Sequence, residues 1–160
     1  MATILSIVYQ PLDQKYPDGH ITDYIRVSAE SVTLLADHGI EGDQKAGLSK
    51  TRQVNLIPTD WLAARKAEGY RTGPGEMGEQ LIVDGLTFAE FHKGLRLQLG
   101  DEAIVEITKS RTGCERLDAS QPRPLPMDIK EAGIGHLAKV IQTGTIRVGD
   151  PITILTPEPA

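Results

Sequence analysis

The stretch Leu95-Arg-Leu-Gln-Leu-Gly-Asp-Glu-Ala-Ile-Val-Glu-Ile-Thr108 decides the fold. On either side of Gly100-Asp101 its apolar residues recur at every second position, the period of a strand with one buried face. Gly and Asp tolerate the backbone conformations of a tight connection, so Leu95–Leu99 and Ala103–Thr108 read as a β-hairpin. The same pattern returns in Gly144-Thr-Ile-Arg-Val-Gly-Asp-Pro-Ile-Thr-Ile-Leu155, a strand pair around Gly149-Asp150. A third turn, Gly39-Ile-Glu-Gly-Asp43, follows strand-like runs at Tyr24–Ser28 and Ser31–Leu35. Three Gly-Asp turns after three such stretches give the spacing of a small closed or nearly closed β-barrel.

Outside these pairs, Thr3–Tyr9 is a β-branched run stopped at Pro11, and Arg52-Gln-Val-Asn-Leu-Ile57 alternates as a half-buried strand does. Pro58 opens the one clear helix, Thr59–Glu68, with Thr59-Asp60 placed to cap it and Gly69 to end it. Arg71-Thr-Gly-Pro-Gly-Glu-Met-Gly78 is a glycine-rich loop feeding a strand at Glu79–Asp84. Gln121-Pro-Arg-Pro-Leu-Pro126 reads as a Pro-rich, weakly ordered surface loop, and the tail Pro157–Ala160 as frayed. With no repeat and no long linker, residues 1–160 are expected to form a single domain. It is mainly β, with a few short helical segments besides the clear helix.

Composition narrows the function. Hydrophobic residues make up 39% of the chain and charged residues 24%, as in an ordinary globular domain, while aromatics are only 4%, so the core must come from Ile, Leu and Val. A net charge of −5 argues against a broad nucleic-acid or membrane surface, leaving room for an anionic small ligand at a local basic cluster. No window approaches the ~20 apolar residues of a membrane helix. The first residues, MATILSIVYQPLDQKY, carry no basic region before Pro11, so no signal peptide is expected. The one cysteine cannot pair within the chain or carry an Fe–S cluster, which fits a reducing, cytoplasmic setting.

That cysteine, Cys114, sits in Lys109-Ser-Arg-Thr-Gly-Cys-Glu-Arg116, directly after a strand and with three cations within five residues. Nearby cations favour the thiolate, the form that acts as nucleophile and metal ligand. The same cations could hold a phosphate, Arg111 through its planar fork, and Gly113 would let backbone amides come close to a ligand. The alternative is that Cys114 is a small buried hydrophobe among solvated cations. Glu76 and Glu79 bracket the turn at Gly78 and are either solvated or part of a pocket wall with Gln80; Asp43 is either a turn residue or a ligand contact. His20, His38, His92 and His136 have no metal-ligand spacing. There is no P-loop and no nucleophile elbow. Gly73-Pro-Gly75 and Gly78 precede a strand rather than a helix, the wrong context for a dinucleotide loop.

Together these segments resemble the MOSC domain, the family named after the C-terminal domain of molybdenum-cofactor sulfurase. Gly39-Ile-Glu-Gly-Asp43 is similar to its G-x-x-G-D turn, followed by Arg52-Gln-Val-Asn-Leu56. Gly75-Glu-Met-Gly-Glu-Gln-Leu81 is similar to its G-E-x-G-E-N-L loop, and Arg111-Thr-Gly-Cys114 to its R-x-P-C element. Ala138–Asp150 resembles its closing hairpin. Two departures stand out: Gln80 replaces the usual Asn, and Gly113 the usual Pro. The resemblance implies a MOSC-type β-barrel-like domain that binds molybdenum cofactor and works without pyridoxal phosphate. In it Cys114 is the metal ligand and catalytic thiol, and Asp43, Arg52, Glu79, Gln80, Lys109, Arg111 and Thr112 are the cofactor-binding residues. A thiolate suits molybdenum held in a sulfur-rich pterin dithiolene, and Lys109, Arg111 and Arg116 could meet the anionic phosphate of that pterin.

Three functions follow from the resemblance. One is a molybdenum-dependent reductase, of N-hydroxylated compounds as in some relatives, drawing on an external electron donor. Another is a sulfur carrier with Cys114 as a persulfide, fed by a sulfur donor protein. The third is a non-catalytic module that stores or transfers the cofactor. A monomer or homodimer is expected in each case, without nucleic acid or membrane partners.

Overall fold

The hairpin around Gly100-Asp101 pairs Arg96 with Glu106 and Leu99 with Ala103 in antiparallel register. The computed structural model describes residues 1–13, 26–112 and 115–155. Cys114, the beginning of the expected strand at Tyr24–Ser28 and the tail from Pro157 lie outside the described residues, as do the side chains of Glu115 and Arg116. The strands are β1 (Ala2–Tyr9), β2 (Val27–Ser28), β3 (Ser31–Leu35), β4 (Gly39–Ile40), β5 (Val54–Pro58), β6 (Leu81–Asp84), β7 (Arg96–Leu99), β8 (Ala103–Ser110), β9 (His136–Gln142), β10 (Gly144–Arg147) and β11 (Pro151–Leu155). The helices are α1 (Thr59–Ala67), α2 (Glu115–Ser120) and α3 (Met127–Ala132), with a 3-10 turn at Phe88–Glu90.

Seven strands run in the order β11-β7-β8-β9-β5-β6-β1, and β1 returns to β11 through Ala2↔Ile152 and Thr3↔Pro151, closing a barrel. Closure leaves no open edge among these seven, which is how a small β domain avoids edge-to-edge pairing. Among the described residues only β5 and β6 pair in parallel, because α1 and the glycine-rich loop carry the chain back between them. A separate sheet, β10-β3-β4, flanks the barrel. At the turns Gly42-Asp43, Gly100-Asp101 and Gly149-Asp150, each glycine has φ between 68° and 92°, a region costly for residues with a Cβ.

Alternation builds the interior. In β8 the residues Ala103, Val105 and Ile107 are buried while those between them are not. They join Leu97, Leu99, Val140, Ile4, Leu56 and Val83 in the barrel core. A second apolar cluster lies outside the wall: Trp61 and Leu62 of α1, Ile57, Ile82, Tyr70, Met77, Leu117 of α2, Leu125 and Ile134. This cluster joins the glycine-rich loop to α2, the helix that follows Cys114.

Two local expectations change. No side chain caps α1, whose N-cap is Pro58. Thr59 donates its hydroxyl to Asp84 Oδ1, and Asp60 accepts the N–H groups of Trp61 and Phe88. Gln121–Pro126 is not a loose surface loop. Gln121 and Leu125 are buried, the Tyr70 hydroxyl donates to the Pro124 carbonyl, and Arg123 donates to the Glu68 carbonyl while stacking over the Tyr70 ring. The side chains between the prolines bind this stretch down.

Candidate functional site

The glycine-rich loop is folded around a buried carboxylate. Glu79 is fully buried and accepts the backbone N–H groups of Gly75 and Met77. Burial pushes its carboxyl above the ordinary range, opposed by the N–H donors of Gly75, Glu79 and Met77 and by the charge of Arg26. Gly78 N–H closes the turn onto the Gly75 carbonyl at 2.9 Å. Glu76, the other acid of this loop, accepts Gly73 N–H at its exposed rim.

Gln80 carries the loop across to the first Gly-Asp turn. Its Nε2 donates to Asp43 Oδ2 at 2.8 Å, and its Oε1 accepts Asn55 N–H at 2.9 Å. Asn55 answers with Oδ1, which accepts Gln80 N–H at 2.6 Å, and with Nδ2, which donates to the Gly78 carbonyl. Asp43 also accepts the N–H groups of Gln10 and Lys45. Asp43 and Gln80 are 2% and 3% exposed, so both amide groups of Gln80 and both oxygens of Asp43 are satisfied inside the protein.

The strand end that leads to Cys114 reaches the same loop. Arg111 N–H donates to the Gly135 carbonyl and its own carbonyl accepts Ile134 N–H, extending the β8–β9 ladder past Ser110. Its Nη1 then donates to the Met77 carbonyl at 2.6 Å. On the far side of Cys114, Gln121 donates through Nε2 to the carbonyls of Arg71 (2.9 Å) and Glu76 (3.1 Å) and to the sulfur of Met77 (3.4 Å). Its Oε1 accepts Arg71 N–H at 2.8 Å. One connected set therefore holds Asp43, Glu79, Gln80 and Arg111.

Arg52, Lys109 and Thr112 are exposed, and no side-chain hydrogen bond or ion pair among the described residues ties them to this set. Cys114 itself lies outside the described residues.

Sequence reasoning missed Asn55 and Gln121, and the reading of His136 as one more solvated or capping histidine is corrected by its burial. Asn55 looked like the outward face of a strand, and Gln121 was masked by the prolines around it. His136 is 4% exposed, stacked on Phe91 at 4.6 Å and 4° and set against Phe88 at 4.7 Å. Burial alone lowers its pKa to about 4. No spacing signal in the chain pointed to it.

Comparison with known proteins identifies the frame. The family model of the MOSC domain matches residues 43–153. A protein named Reductase from Gibberella moniliformis is 30% identical over 98 residues, which are 60% of this chain and 18% of the fungal protein. The chain thus spans less than a fifth of that relative. Protein YiiM of Escherichia coli is 26% identical over 165 residues, covering 93% of this chain and 70% of its own. The crystal structure of YiiM from Geobacillus stearothermophilus superposes with a TM-score of 0.72 at 20% identity over 98% of this chain and 76% of that one. The YuaD protein from Bacillus subtilis gives 0.72 at 17% identity over 95% and 94%. These structures share the fold, and the family match over residues 43–153 carries the assignment: the chain belongs to the MOSC domain family.

Proposed function

We infer that this MOSC domain binds molybdenum cofactor and presents Cys114 to the metal as a thiolate ligand. The observation that supports this most is the Arg111–Met77 hydrogen bond, which ties the segment leading into Cys114 to the glycine-rich loop. The donor set fits the group in kind. The chain offers one thiol beside exposed Lys109, Thr112 and Arg52, which suit an anionic phosphate. Asp43, Glu79 and Gln80 serve the site differently: their polar atoms are engaged within the protein, so they shape the loop whose backbone faces the ligand. When bound, a molybdenum centre supplies two-electron redox chemistry.

The resulting activity is a reductase one with an external electron donor. The family and the similarity to a protein named Reductase favour it. In this role Arg111 holds positive charge near the thiol and keeps it ionised, and the loop excludes water from one side of the site.

The test is the molybdenum and pterin content of protein freshly purified from cells that make the cofactor, wild type beside Cys114→Ser. Near-stoichiometric metal in wild type and its loss in the variant is the expected result. Metal-free wild type carrying a persulfide on Cys114 would replace this reading with the sulfur carrier. Bound cofactor without turnover by any artificial donor would leave a storage or transfer module.

A further inference from the structure

Cys114 is bracketed. Arg111, three residues before it, and Gln121, seven residues after it, donate to neighbouring peptide carbonyls of one short segment, those of Met77 and Glu76. Gln121 is 7% exposed and satisfied by four partners, all on residues 71–77. Leu117 of α2 and Met77 are each fully buried in the same apolar cluster. Arg71 returns the contact by donating to the Ser120 carbonyl. Among the described residues the glycine-rich loop is thus joined to α2 and to Gln121 just after it by polar and apolar contacts together, with Gln121 making most of the hydrogen bonds.

We propose that Gln121 is a positioning residue: its side-chain amide locks the glycine-rich loop to the end of α2, the helix that follows Cys114 in sequence, so that loop and helix end open together and the reactivity of Cys114 responds to that opening. The physical reason is the fourfold use of one buried amide. Removing its N–H donors strands the carbonyls of Arg71 and Glu76 without replacement, and the local opening equilibrium of both segments rises. Met77 makes the coupling reciprocal. Its carbonyl is held by Arg111, its N–H by Glu79 and its sulfur by Gln121, so a displacement on one side of Cys114 is felt on the other. The inference takes Cys114 as the working residue of the site proposed above, but the quantity that tests it belongs to the thiol alone and needs no cofactor.

The experiment measures alkylation of Cys114, the one cysteine of the chain, by iodoacetamide at neutral pH in wild type, Gln121→Met, Gln121→Glu and Arg123→Ala. Gln121→Met keeps the volume and removes the amide, and Gln121→Glu keeps an acceptor for Arg71 N–H but removes both donors. Arg123→Ala cuts a different anchor of the same stretch, to Glu68 and Tyr70, and controls for loss of stability. Both Gln121 variants should alkylate about threefold faster or more, the range of a modest local opening, while Arg123→Ala stays at the wild-type rate despite a lower Tm. Equal rates in wild type and Gln121→Met, or an equal rise in Arg123→Ala, would overturn the proposal. Should the Gln121 variants fail to fold, hydrogen exchange on the wild type decides. Amides of residues 73–79 and 117–121 sharing one opening free energy across a denaturant series support the lock, and separate openings refute it. Retention of molybdenum by Cys114→Ser would sink the reading of Cys114 as the metal ligand and leave these rates untouched.

Discussion

Arg111 Nη1 lies 2.6 Å from the Met77 carbonyl oxygen, a contact between residues 34 positions apart that brings the strand end before Cys114 onto the glycine-rich loop. The guanidinium thus has a defined place, which long cationic side chains on exposed loops lack. It is this placement, more than the count of cations in the sequence, that makes Arg111 the residue expected to govern the thiol.

Arg111→Ala should move the midpoint of the pH–alkylation profile of Cys114 upward by about one pH unit, the usual effect of removing one nearby cation. Arg116→Ala should move it least. The check is a pH series of alkylation rates in the two variants and wild type. A profile unchanged in Arg111→Ala would show that Arg111 does not set the thiol's ionisation, and a thiol inert until the protein unfolds would return Cys114 to the part of a buried hydrophobe.

The pair Asp43 and Gln80 should show strong coupling. Each single change to Ala leaves a buried partner atom unsatisfied, costing about 1–3 kcal/mol. Changing both removes the shared bond once, so the double variant should be less destabilised than the sum by about 1 kcal/mol. A double-mutant cycle in urea measures this, and strict additivity would show that the 2.8 Å bond contributes nothing.

What was legible in the sequence follows from periodicity. Leu97, Leu99, Val105 and Ile107 alternate, and one buried face demands that they do, so the strands and Gly-Asp turns could be read directly. Barrel closure through Ala2 and Ile152 leaves no periodic trace, since neither residue differs from others on an inward face. The bridging amides are equally silent. Asn55 and Gln80 exchange hydrogen bonds across 25 positions, and nothing local separates such an amide from a solvated one. Glu79 invited the reading of a solvated turn acid because a buried carboxylate is costly. Only the folded loop supplies the N–H donors that make it tolerable.

Gly144 tests the packing of the small sheet on the barrel. A Cβ built there would sit 2.4 Å from Ala103 N and 2.9 Å from Ala103 Cα, both backbone atoms that cannot step aside by a rotamer change. Gly144→Ala should therefore destabilise the protein by about 2 kcal/mol or more, as overpacking against a rigid neighbour does. Gly94→Ala, with open space around the added carbon, should cost much less, about the penalty of its positive φ alone. Thermal unfolding of the two variants ranks them, and the reverse order would refute the packing argument.

The pH dependence of stability should carry two opposed contributions, from His136 and Glu79. His136 has its folded pKa lowered to about 4 by burial, against an ordinary value near 6.5. As pH falls through that window the unfolded chain takes up a proton that the folded imidazole refuses. Stability is thus complete above about pH 6.5 and declines towards pH 4, by at most ~3 kcal/mol. Glu79 is shifted the other way, its folded pKa raised by burial. The folded state then holds the proton more tightly, so its contribution falls as pH rises above the ordinary carboxylate range. Urea midpoints between about pH 7 and about pH 4.5 should therefore fall less steeply in wild type than the histidine alone would dictate. In His136→Leu the acid-side decline should shrink or reverse, because the Glu79 contribution, which grows with acidity, then acts without its counterweight. An undiminished decline in His136→Leu would show that the imidazole between Phe88 and Phe91 is not what acid attacks.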